Sequence, residues 1–120
     1  MGVLAAMAAL LLGCARAQAA EIVTTSFPCY DFARQIAGDA AQVRMLIRPG
    51  TEVHSYEPTP ADILAIGDSD LFVAIGGESD AWIDGILGSM GGSAPQSIFL
   101  MDSVEALEEE EVEGDEHHHE

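Results

Sequence analysis

The chain has 120 residues, enough for one domain at most, and its formal net charge is -17 with four arginines and no lysine. The charge is uneven: residues 102–120 hold ten of the 21 acids and no Lys or Arg, so the body is moderately acidic and the end is a polyanion. With no cluster of Lys and Arg the composition excludes nucleic acid as a partner, because phosphate binding relies on such clusters, and it makes cations the natural complement.

Residues 3–12 are almost all apolar and lead into Gly13-Cys14-Ala15 and Ala17-Gln18-Ala19-Ala20, the build of a secretory signal over residues 1–19. About ten apolar residues are too few for a permanent membrane span. Leu11-Leu12-Gly13-Cys14 matches a bacterial lipobox, which would leave a lipidated Cys14; the alternative is ordinary cleavage before Ala20. The apolar run is preceded by no Lys or Arg, which implies a natural start further upstream. The chain is therefore expected to be exported, either periplasmic or lipid-anchored at the cell surface. After either cleavage Cys29 has no internal disulfide partner, and with no histidine beside it to act as a base it reads as a small core residue.

Beyond the signal, short apolar runs alternate with helical patterns. Ile22-Val23-Thr24-Thr25 predicts a first strand, and Cys29, Phe32, Ala33 and Ile36 recur at helical spacing, predicting a helix that packs on a sheet and ends at a Gly38 cap. Val43-Arg44-Met45-Leu46-Ile47 predicts strand two. Thr59-Pro60-Ala61-Asp62 is a helix start: a Thr that caps, a Pro whose missing N–H costs nothing, and an acid at the third helical position. Leu71-Phe72-Val73-Ala74-Ile75 reads as a doubly covered strand. Gly76-Gly77-Glu78-Ser79 then precedes a helix whose stripe is Trp82, Ile83, Ile86, Leu87 and Met90, and Ile98-Phe99-Leu100-Met101 predicts the last strand.

This βαβαβαβ order predicts an α/β fold, a parallel sheet with helices on both faces, over residues 20–101. Ligands of such sheets gather outside the carboxyl ends of the strands. Four segments emerge there: Ser26-Phe27-Pro28, the loop around His54, Gly76-Gly77-Glu78-Ser79, and the acidic end of the chain.

His54 is the one histidine outside the last few residues, and its loop is bounded by Pro49-Gly50 and Thr59-Pro60. Neutral imidazole ligates zinc and related metals, and Glu52, Tyr56 and Glu57 lie close enough in sequence to orient it through hydrogen bonds. From the residues alone, a metal ligand and a solvated loop histidine both fit. Gly76-Gly77-Glu78-Ser79 could expose N–H groups to an anion, but Ser79 as a plain helix cap with Asp80 on the helix dipole is the stronger reading. Trp82 reads as core rather than as a stacking platform. His117, His118 and His119 lie in an acidic run unable to fold alone; loose metal capture, the remnant of an affinity tag and a solvated charge run all suit them.

Tyr30-Asp31-Phe32-Ala33, the block His54-Ser55-Tyr56-Glu57-Pro58-Thr59-Pro60, the run Gly67-Asp68-Ser69-Asp70-Leu71-Phe72 and Gly76-Gly77-Glu78-Ser79-Asp80-Ala81-Trp82 together resemble the N-terminal lobe of the zinc/manganese ABC-transporter substrate-binding proteins. The resemblance implies two α/β lobes joined by a long helix, with a divalent metal held between them and passed to a membrane ABC permease by a monomeric receptor. It implies that His54 is the first metal ligand, with Glu52 and Glu57 orienting it. A second histidine would follow the fourth strand, and further His and Asp or Glu ligands would come from the other lobe. It further implies that residues 102–120 open a His- and acid-rich loop in which His117, His118 and His119 capture metal, and that the chain is a truncated, N-terminal-lobe fragment. Zinc is expected over manganese because imidazole suits zinc and carboxylates suit manganese. The competing expectations are a metal-buffering or adhesin-type surface protein and a small α/β hydrolase-like enzyme, the latter lacking a visible nucleophile–base pair.

Overall fold

The computed structural model describes residues 18–104. Strands and helices alternate as the periodicity predicts: β1 Ala20–Thr24, α1 Phe27–Ala37, β2 Ala41–Met45, α2 Pro60–Asp68, β3 Leu71–Ala74, α3 Ala81–Met90 and β4 Gln96–Phe99. Short 3-10 turns occupy Glu78–Asp80, Gly91–Ser93 and Leu100–Ser103.

The four strands form one sheet in the order β2-β1-β3-β4, and every neighbouring pair is parallel. The order has a direct consequence. The chain steps from β1 to β2 in one direction, then crosses back over β1 to β3 and on to β4, so right-handed crossovers place α1 on one face and α2 and α3 on the other. Packing agrees with this. Ile66 of α2 and Ile83 of α3 join Val23, Phe72 and Ala74 in one buried cluster, flanked by Leu46, Ala65, Trp82, Leu87, Met90 and Phe99. Alternate strand residues Ile22, Leu71 and Val73 point the other way, towards Cys29 and Ala33 of α1.

The helix starts follow local chemistry. At α2 the Asp62 N–H donates to Thr59 Oγ1 at 3.2 Å while the Thr59 N–H donates to Asp62 Oδ2 at 2.9 Å, the reciprocal box the sequence predicts, with Pro60 in the first turn. Gly38 closes α1 at φ 53°, its N–H donating to the Arg34 carbonyl.

Three expectations are corrected. Strands β2 and β4 both start and stop two residues early: Leu46 and Ile47 still bond to the Thr24 and Thr25 carbonyls at 2.9 and 2.8 Å, but there the chain is already leaving the sheet, and Leu100 and Met101 after β4 belong to a 3-10 turn. Ser79 does not cap α3; it lies inside the Glu78–Asp80 turn and Asp80 precedes the helix. The third concerns α1. Phe32 and Ile36, at spacing that predicts burial, are 61% and 86% exposed, because α1 contacts the sheet mainly over β1 and β2 and leaves an apolar cleft towards Leu71, Val73 and Ile98.

Candidate metal centre

The loop carrying His54 begins at the carboxyl edge of β2, where the ligand crevice of a parallel sheet lies. Arg48-Pro49-Gly50-Thr51 makes the first reversal: the Thr51 N–H donates to the Arg48 carbonyl at 3.1 Å, and Gly50 takes φ 87°. Proline then glycine at the two central positions is what a type II turn requires, since a positive φ at the second is costly for any residue with a Cβ. A second turn follows, closed by the Tyr56 N–H on the Val53 carbonyl at 3.4 Å. His54 is the first central residue of that turn and is exposed. The sequence thus presents a histidine at the apex of a turn on the ligand edge.

The neighbours divide into those that hold the turn and those that do not. Glu52 Oε1 accepts from the His54 backbone N–H at 3.1 Å, which brings a carboxylate beside the histidine by way of its main chain rather than its ring. Glu57 is exposed and its carboxylate makes no hydrogen bond among the described residues. Tyr56 is half-buried: its hydroxyl donates to Asp62 Oδ2 at 2.8 Å, and its ring lies 5.5 Å from that of Trp82, tilted by 59°. Trp82 packs on the core as expected, and its outer side meets the tilted Tyr56 ring. Its indole N–H is buried without a hydrogen-bond partner among the described residues.

The electrostatics follow from this tether. Burial, together with donation to Asp62 and its negative charge, pushes the Tyr56 phenol up to about 12. Burial alone would raise Asp62, but the bonds from the Thr59 N–H, the Tyr56 hydroxyl and the Thr59 hydroxyl, with the charge of Arg44, outweigh it and hold the carboxyl below its ordinary value. The Tyr56–Asp62 link is not legible in the sequence, which offers Tyr56 as an orienting group and Asp62 as a capping acid, because nothing in a six-residue spacing joins them.

At the carboxyl end of β3 the anion reading fails on chemistry. The Gly76 N–H that would meet an anion donates to Asp80 Oδ2 at 2.9 Å, and the hollow there is lined by Asp80, Asp84 and Asp102. Three carboxylates repel what the N–H would attract. Cys29 is fully buried, accepts from Thr25 Oγ1 at 3.9 Å, and has its thiol raised by burial, so it is a packing residue and not a nucleophile. His117, His118 and His119, like Cys14 and the apolar signal run, lie outside the described residues. No helix among the described residues is long and apolar enough to cross a membrane.

Among the described residues no group of three or more His, Cys, Asp and Glu comes together to hold a metal ion. A zinc site takes about three or four protein ligands. The described residues therefore form no finished cage; they present His54 on its turn with the Glu52 carboxylate beside its main chain.

An all-parallel α/β lobe with a histidine raised on a turn at its ligand edge has the architecture of a substrate-binding lobe. The family model for the zinc-uptake complex component A, periplasmic (ZnuA), matches residues 22–120, and the chain belongs to that family, one of uptake-complex components rather than enzymes. It is 36% identical over 129 residues to the zinc-binding lipoprotein AdcA of Streptococcus pneumoniae, an alignment covering 98% of this chain and 26% of AdcA. It is 38% identical over 95 residues to the high-affinity zinc uptake system protein ZnuA of Bacillus subtilis, covering 75% of this chain and 29% of that protein. In three dimensions it superimposes on the Zn(II)-bound ZnuA-like domain of Streptococcus pneumoniae AdcA with a TM-score of 0.69 and 34% identity, over 75% of this chain and 34% of that one. The chain spans little more than a quarter of the length of the curated relatives it matches.

Proposed function

We propose that this chain captures zinc outside the cytoplasm for delivery to a membrane ABC permease, with His54 as a metal ligand. The observation that carries the proposal is the exposed His54 at the apex of a tethered turn on the carboxyl edge of the parallel sheet, in a chain whose relatives are named for zinc binding and zinc uptake. Neutral imidazole favours zinc, and manganese, which prefers oxygen donors, is the second choice. The acidic surface draws cations towards the edge.

Zinc is cargo here, so the site must bind and also release. His54 supplies one donor, Glu52 stiffens its main chain, and Glu57 adds negative charge to the same loop. His117, His118 and His119 gather metal near the edge from the acidic run of residues 102–120. The remaining ligands come from outside the described residues. Residues 1–13 act as the export signal and Cys14 becomes the lipidated first residue after cleavage, ahead of β1, which opens at Ala20. No catalytic step is assigned: the buried Cys29 has no base to activate it.

Calorimetric titration of zinc into the full chain tests this, alongside His54→Ala and a variant with His117, His118 and His119 all replaced by alanine. The expected result is binding weakened at least about tenfold by His54→Ala, the loss typical for a group that orients or holds a metal. Wild-type affinity in both variants would sink the proposal.

A further inference from the structure

We infer that Tyr56 is a positioning residue for the His54 imidazole, and that zinc affinity at His54 depends on the Tyr56–Asp62 hydrogen bond; this rests on the metal reading of His54. Residues 46–59 connect β2 to α2 without a helix or strand, a stretch far longer than the usual connection of about 2–6 residues. A loop of that length stays in one conformation only where it is tied down. Its start is tied by Leu46 and Ile47 to the end of β1, and its end by the Thr59 cap. In between, the turn at Arg48 and the Glu52 carboxylate bond only within the loop.

Among the described residues, the one hydrogen bond that leaves the loop between Arg48 and Pro58 is the Tyr56 hydroxyl to Asp62 Oδ2, at 2.8 Å. The same residue closes the His54 turn through its backbone N–H and packs its ring, tilted, against Trp82 of α3. Tyr56 thus ties the turn to the first turn of α2 and to α3, two residues from the histidine. A turn held in place presents its histidine without the loop having to be ordered when the metal arrives, so the entropic cost of binding falls.

Tyr56→Phe keeps the ring on Trp82 and removes the hydroxyl alone. The control is Thr59→Ala, which weakens the same helix cap and lowers stability but leaves the Tyr56–Asp62 bond. Zinc chloride is titrated into the full chain while the His54 ring resonance is followed by NMR, so that His117, His118 and His119 are read separately. Backbone order parameters are measured at residues 53–55 without metal.

The expected result is that Tyr56→Phe weakens zinc at His54 about tenfold, the low end for orienting groups, and lowers the order parameters, while Thr59→Ala stays within about twofold. A Tyr56→Phe affinity within twofold of wild type, or an equal loss in Thr59→Ala, overturns the inference and leaves the metal reading standing. A His54 resonance that does not respond to zinc defeats the metal reading, and this inference with it.

Discussion

The Tyr56 hydroxyl and the Thr59 hydroxyl both donate to Asp62 Oδ2 at 2.8 Å, and the Thr59 N–H reaches the same oxygen at 2.9 Å. One carboxylate oxygen therefore closes the cap of α2 and anchors the loop that carries His54. Helix start and loop meet at this one oxygen: loss of Asp62 removes both the cap and the Tyr56 anchor, whereas loss of the Thr59 hydroxyl weakens the cap and leaves the Tyr56 bond in place.

Replacing Asp62 by alanine removes all three bonds and the capping box together. Loss of a cap and of charge-assisted bonds predicts about 1–2 kcal/mol less stability. Asp62→Asn keeps part of the acceptor capacity and should cost less. Urea denaturation reads both, and an Asp62→Ala midpoint indistinguishable from that of a surface substitution would show that the shared carboxylate contributes nothing.

The same carboxylate sets an acid limit on stability. Its folded value is depressed by the Thr59 and Tyr56 bonds and the Arg44 charge against the opposing effect of burial. A depressed acid stabilises the folded state above its unfolded value of about 3.9, and that contribution is lost as pH falls through the lower folded value. Denaturation midpoints measured from pH 6 downwards should therefore fall more steeply in the wild type than in Asp62→Asn. Parallel curves would remove Asp62 from the account.

Tyr56 sets the matching limit at the alkaline end. Its phenol, pushed up to about 12 by burial and by Asp62, favours the neutral form in the folded state relative to an unfolded value of about 10. The contribution is complete below pH 10 and is lost as pH rises through about 12. In a Tyr30→Phe background Tyr56 is the one tyrosine left, and its phenolate absorbance should rise near pH 12 in the folded chain. A rise near pH 10 with the fold intact would mean that the hydroxyl faces water.

Much of this was legible in the sequence because local rules and tertiary structure agree. Thr59, Pro60 and Asp62 spell a helix start that forms as written, and the run Leu71-Phe72-Val73-Ala74 becomes an inner strand of the sheet, buried from Phe72 to Ala74. The position of His54 at the ligand edge followed from strand order alone. What could not be read was set by distance in space rather than in sequence. Asp80, by turning its carboxylate onto the Gly76 N–H, displaces Ser79 as the residue before α3, and no propensity encodes that choice. Periodicity placed Phe32 and Ile36 on one face of α1, which is correct, but a helical face is buried only where something covers it. The Tyr56–Trp82 contact joins a loop to a helix that the order of elements brings near without fixing which side chains meet.

That difference between apolar pattern and burial can be measured. Phe72 is fully buried at the centre of the sheet, so Phe72→Ala should cost about 3–5 kcal/mol. Ile36, which the pattern alone ranks as core, is largely exposed, so Ile36→Ala should stay within about 0.5 kcal/mol. A loss at Ile36 comparable to that at Phe72 would mean that the α1 face is covered in solution.

At the other end of the ligand edge, Gly76 tests why the turn after β3 holds no anion. Its φ is 89°, and a Cβ built there would meet the Phe99 and Met101 side chains at 3.5 Å, an ordinary contact. The penalty for Gly76→Ala therefore comes from the backbone rather than from crowding, and should exceed about 1 kcal/mol. Asp80 depends on the same geometry, because its carboxylate reaches the Gly76 N–H only while the turn keeps that shape. Asp80→Ala strands a part-buried N–H and should cost about 1–3 kcal/mol. If the two changes act through one turn, the double variant loses less than the two single losses added together. Strict additivity would show that the glycine conformation and the carboxylate are independent, and that the acid-lined hollow at the end of β3 is not held by this bond.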